Sequence, residues 1–216
     1  MLHVDSIDVV SLRTVWMLPV DVPALLAGLG KRGYNTARIR SKVEGGYEIS
    51  PLLPSPPLFL AAKGSVEILY EPARRILIIE GSSGPDVLSA HADVESALRE
   101  GGCIEPAQAI LFYEVLVKAV ASGSIGGKKV SLSDVIGTDM IAIQTRLVME
   151  NGNPNSVKWT DLDIRPIWTR WGKNAQYELI FIYRTGIEER DKIERIVGNA
   201  DGVLKEIARK FSEVIT

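Results

Sequence analysis

Two segments of this chain have the same form. RRILIIEGSSGPDVLSAHADVESALREG, residues 74–101, is a strand pattern running into an amphipathic helix, and QYELIFIYRTGIEERDKIERIVGNADGVLKEIARKF, residues 176–211, is another. A helix with a single apolar stripe must bury it against a second layer, and a strand immediately before it supplies a sheet as that layer. The stripe is clearest in the second segment, where Ile193, Ile196, Val197, Ala200, Val203, Leu204, Ile207, Ala208, Phe211 and Val214 recur at three- and four-residue steps. Unbroken from Glu188 to Ile215, that helix would be about 42 Å long. Gly198 and Gly202 each cost up to about 1 kcal/mol inside a helix, so a bend is expected there.

Each segment closes a similar run of elements. In the first half, residues 7–18 read as a mostly buried strand ended by Pro19, and Asp21 caps a short helix with Pro23 in its first turn and Gly30 or Gly33 at its end. Strands at Val66–Tyr70 and Arg75–Glu80 flank a turn, and the long helix stops at Gly101-Gly102. In the second half, residues 107–120 form a long strand pattern, a helical turn falls at 131–136, and strands follow at 140–150, 157–170 and 176–185. The loop NGNPN, residues 151–155, makes a hairpin of the first two. The expected fold class is therefore α+β. Tandem β-α-β(3-4)-α repeats, at 1–104 and 105–216, would form a mostly antiparallel curved sheet with helices on one face.

That element order resembles, in topology, the two-repeat saddle of the TATA-box-binding-protein-like fold, and it fits the helix-grip folds as well. The resemblance covers the order of elements only. It brings no DNA-contacting residues with it, and a shared fold does not license a shared function.

Composition excludes several classes of function. Cys103 is the only cysteine, so no internal disulfide forms. The longest uncharged stretch, residues 49–62, has 14 residues and four prolines, whereas a spanning helix needs about 20 apolar residues. Residues 1–10 carry Asp5 and Asp8 and lack the basic start of a secretory signal, so a cytoplasmic protein with no membrane partner is expected. The net charge is −2, with 10 basic and 12 acidic residues up to Ile104 and 15 of each after it. Neither half is a basic module of the kind that binds nucleic acid. Abundant mixed charges and few glutamines (Gln108, Gln144 and Gln176) lean toward a thermophilic source.

Motifs of established chemistry are weak. In SGSIGGKK, only three residues separate Gly123 from Gly127-Lys128 where a phosphate loop has four, and Lys129 occupies the place of a hydroxyl residue, so the phosphate-loop spacing is not met. Ser82, Ser83 and Gly84 precede a helix, where free amides favour an anion, although the serines can also cap the helix without a ligand. His3 and His91 are far apart and cannot build a zinc site with one cysteine. His91 falls on or near the apolar stripe of its helix, as a packed histidine does. No metal site, cofactor or catalytic residue is assigned.

VKWTDLDIRPIWTRW, residues 157–171, is the most informative stretch for function. Strand alternation puts Trp159, Asp161, Asp163, Arg165, Ile167 and Trp171 on one face and Thr160, Leu162, Ile164, Pro166 and Trp168 on the other, which reads as core. Neighbouring strands add Glu114 and Lys118, Gln144 and Arg146, and Glu178 and Arg184 to the first face. The bland expectation is a solvated face laced with cross-strand ion pairs. The sharper one is a recognition surface of Trp159, Asp161, Asp163, Arg165, Trp171, Arg146 and Arg184 that binds a partner or ligand without catalysis. Two alternatives are a nucleic-acid interface, opposed by the acids, and a divalent-metal-assisted enzyme acting at Asp161 and Asp163. Residues 49–62, with Leu52, Leu53, Leu58, Phe59 and Leu60, are a second candidate contact, for a homodimer.

Overall fold

A computed structural model describes residues 2–36, 38–41, 47–50, 57–102, 105–123, 128–132, 138–142, 145–149, 153–167 and 175–215. The chain is α+β. Its main sheet has eight strands, all antiparallel, in the order β4-β5-β6-β1-β7-β12-β11-β10. The strands are β1 (Leu2–Trp16), β4 (Leu58–Lys63), β5 (Val66–Glu71), β6 (Ile76–Gly81), β7 (Ile110–Gly123), β10 (Thr145–Val148), β11 (Trp159–Pro166) and β12 (Gln176–Gly186). Two separate hairpins pair β2 (Arg38–Ser41) with β3 (Tyr47–Ser50) and β8 (Lys128–Leu132) with β9 (Thr138–Ala142). The helices are α1 (Val22–Lys31), α2 (Gly84–Glu100), the single turn α3 (Pro106–Ala109), α4 (Arg190–Gly198) and α5 (Ala200–Ile215).

The core lies between the helices and one sheet face. Leu12, Leu77, Ile68, Val115, Val117, Leu179, Leu162 and Ile164 point into it from the strands. Leu25, Val87, Val94, Ile193, Val197, Leu204 and Phe211 meet them from the helices. At about 25 cal/mol per Å² of apolar area, each such side chain contributes about 1.5–3 kcal/mol. Leu162 and Ile164 thus fall on the core face that the alternation of residues 157–171 assigns them.

Local signals act as the sequence expects in several places. Asp21 caps α1 by accepting the Ala24 N–H at 3.1 Å. A turn joins β5 to β6 as expected, although Arg75, expected as the first strand residue, lies within it at φ 56°. Elsewhere tertiary pairing moved the boundaries. β1 starts at Leu2, not Ile7, because Leu2 and Val4 are buried and Ser212 of α5 accepts the Leu2 N–H at 2.9 Å. Residues 106–109 turn helically before β7, and the Ala109 carbonyl accepts from Met17 N–H at 2.8 Å. Ser131 and Leu132 belong to β8, opposite Asp139 and Thr138, and not to a helical turn. The expected strand 140–150 is two strands, one in each of two sheets. The C-terminal helix breaks at Asn199, beside the Gly198 that predicted a bend.

Candidate functional site

β11 places Trp159, Asp161, Asp163 and Arg165 on the face of the sheet away from the helices. Adjacent strands set Arg184, Glu114 and Arg13 in a cross-strand row with Trp159. Arg146 stands opposite Asp163, and Val148 opposite Asp161. Arg146 and Arg165 thus meet the β11 acids, and Arg184 meets Glu114 of β7 instead. Trp168, Trp171 and Gln144 lie outside the described residues.

The acids are not solvated. Asp161 is 4% exposed, Asp163 7%, Glu114 8% and Trp159 8%. The covering arginines explain how charged groups stay buried, since a carboxylate out of water needs a cation and hydrogen bonds. Arg146 Nε lies 3.0 and 3.1 Å from the two oxygens of Asp161, and its Nη2 also bonds Oδ2. That bonding holds the Arg146 guanidinium above its usual value. Arg165 Nε donates to Asp163 Oδ2 at 2.7 Å. Glu114 receives Arg13 on one oxygen at 3.0 Å and Arg184 on the other at 2.6 Å. Arg184 also donates to the Pro154 carbonyl at 2.9 Å and stands over the Phe112 ring at 5.3 Å.

The arginines are therefore engaged with carboxylates, and Asp161 and Asp163 point to arginine rather than to each other. Among the described residues, no group of three His, Cys, Asp or Glu side chains is placed to hold a metal ion. Between the ion pairs the same face carries Val9, Leu116, Val120, Ile180 and Ile182, with Lys118 set between Val9 and Ile180, and Leu69 and Ile78 lie beyond β1.

Ser82, Ser83 and Gly84 lie at the start of α2, beside a cleft of about 270 Å³ that they line with Ile7, Val10, Gly198, Asn199 and Asp201. Ser83 makes no side-chain cap bond. A Cβ at Gly84 would overlap the Val197 carbonyl, so glycine there lets α2 pack against the end of α4. The first residue of β4 is half-buried, and Phe59, Leu60 and Ala61 are buried, the last two in this chain's own core. Leu52 and Leu53 lie outside the described residues.

A second polar cluster, which sequence reading did not assemble, sits between α2, α4 and β7. Arg190 donates to both oxygens of Glu95 at 2.8 and 2.9 Å. Glu95 is 7% exposed and His91, one turn earlier, 4%. His91 Nε2 is 3.8 Å from Glu95 Oε1 and has no hydrogen-bond partner among the described residues, and the ring meets Tyr113 edge-on at 6.0 Å. Burial pushes the Tyr113 hydroxyl up to about 12 and holds His91 below its ordinary value. The only sequence signal was the i, i+4 spacing of His91 and Glu95, which puts both on one helix face.

No family model matches the chain, and no curated protein matches its sequence. No described helix is long and apolar enough to cross a membrane.

Proposed function

We propose that the protein is a non-enzymatic assembly protein that docks a second copy of itself on the helix-free face of a sheet made from a tandem repeat. The strand order supports the repeat. Read outward from the β1/β7 seam, each half places its first strand at the centre, its last strand next, and earlier strands toward the edge. Each half also ends in helix that packs on the same face, which fits a saddle that binds through its other face.

The observation that carries the docking reading is the chemistry of that other face: Leu116, Val120, Ile180 and Ile182 form an apolar patch around Lys118, flanked by the arginine–carboxylate pairs of Glu114, Asp161 and Asp163. An apolar patch with charged pairs at its margin is the anatomy of an interface. Eight strands about 4.8 Å apart span about 34 Å. Over strands about 20 Å long the face offers on the order of 700 Å², near the roughly 800 Å² per partner of a stable complex. Lys118, Glu80 and Glu178 share the face and make no ion pair among the described residues. A two-fold contact lets each copy's lysine meet the other's glutamate. The arginines that a nucleic acid or a metal-bound phosphate would need are already held by acids, which favours assembly over both alternatives.

Light scattering from micromolar to sub-millimolar concentration tests this, on the wild type and on Ile182→Glu. A doubled mass that the substitution abolishes supports the reading. A monomer mass throughout, or a dimer indifferent to Ile182→Glu with its fold intact by circular dichroism, overturns it.

A further inference from the structure

The cluster between α2 and α4 contains more polar chemistry than helix packing requires. Glu95 is a buried carboxylate and His91 a buried imidazole, and only Arg190 and Glu194 of the group reach the surface. Arg190 is the first residue of α4, where a positive charge opposes the helix dipole, so its place there is justified by Glu95 across the seam. Arg190 also donates to Glu194 at 2.7 Å.

We infer that His91, Glu95 and Arg190 form an acid-operated latch between α2 and α4, in which proton uptake by His91 releases the seam. The groups facing His91 set its behaviour. On its own helix it meets Glu95. From α4 it meets Arg190 and, farther out, Glu194, and from β7 the Tyr113 ring. The Arg99–Glu105 pair, bonded at 2.7 Å, lies beyond Arg190 and satisfies itself. Beneath α2, β1 and β6 offer the apolar Leu12, Leu77 and Ile79 and the hydroxyl of Thr14, which already accepts the Trp16 indole N–H.

Neutral His91 packs in this setting with Nε2 unbonded. A proton there places a second cation beside Arg190 in a site with almost no water, and the attraction of Glu95 does not offset that loss of hydration. The charged imidazole is far better solvated once the seam parts, so acid favours the open form. With the folded value lowered, the open or unfolded chain binds the extra proton. Stability therefore falls as pH drops below the ordinary histidine value of about 6.5. The latch joins a helix of residues 1–104 to one of 105–216, so its opening loosens one half against the other.

The test is amide exchange of α2 and α4, corrected for the intrinsic pH dependence, between about pH 7.5 and 5 across the histidine range, on wild type and His91→Phe. Loss of protection in both helices at acid pH, absent in His91→Phe, supports the latch. Equal acid loss in both proteins, or no loss in the wild type, overturns it. An NMR titration of the wild-type imidazoles does not depend on the variant folding, and a His91 midpoint at or above the free-histidine value also overturns it.

Discussion

Arg190 closes on both carboxylate oxygens of Glu95, at 2.8 and 2.9 Å, and so ties the first residue of α4 to the middle of α2. The two residues are 95 positions apart, one in each half of the chain. Bonding to Glu95 raises the Arg190 guanidinium above its usual value.

Arg190→Met strips that carboxylate of its partner and is expected to cost about 3 kcal/mol in urea unfolding, the low end for a broken buried pair because Arg190 has one side in solvent. Arg190→Lys should recover part of the loss, since an ammonium cannot match both oxygens at once. Equal stability of wild type and Arg190→Met would show that the pair is dispensable.

Lys158, with Tyr183 and Lys192, holds the Glu189 carboxyl down at about 2. A folded value below the unfolded one, about 4.3, favours folding fully above the ordinary glutamate range, and the benefit is lost as pH falls from there toward 2. Melting curves at about pH 5 and about pH 2.5, either side of that loss, should therefore show a smaller acid-induced drop for Glu189→Gln than for wild type. Identical drops would remove Glu189 from the acid response.

Two glycine substitutions should move stability in opposite directions. Gly84→Ala drives a methyl into the Val197 carbonyl and is expected to cost about 1–3 kcal/mol. Gly30→Ala, in α1 with nothing within 4 Å of the new methyl, should gain about 0.5–1 kcal/mol from helix propensity. Chemical denaturation of both variants checks the pair, and a neutral Gly84→Ala would show that α2 and α4 tolerate separation at that point.

Arg146→Ala removes the cation that pairs with and covers Asp161. A lower denaturation midpoint than wild type is expected, by less than a fully buried pair would give because Arg146 is itself mostly exposed. Added Mg²⁺ or Mn²⁺ should leave the wild-type melting midpoint unchanged, since a cation that bound the native state would raise it. A rise with metal concentration would restore Asp161 and Asp163 as a cation site.

Local patterns were legible wherever backbone chemistry is decided within a few residues. The Asp21 cap, the turn between β5 and β6, the period-two core face of Leu162 and Ile164 and the stripe through Ile193, Val197, Leu204 and Phe211 all depend on spacing alone, and spacing is written in the sequence. The same holds for the break beside Gly198. The sequence also named the right strand of the candidate face, because alternation sends Asp161 and Asp163 to the side opposite Leu162 and Ile164.

Partnership was decided only in three dimensions. Register between β11 and β10 set Arg146 opposite Asp163, from where its guanidinium reaches diagonally to Asp161, and register between β12, β7 and β1 put Arg184 and Arg13 on one glutamate, so the acids of an expected solvated face of ion pairs are buried. Packing of α2 against α4 joined Glu95 to Arg190 and buried His91 between them. Charge pairs of this kind act over a few ångströms between residues tens of positions apart, so no periodicity along the chain records them.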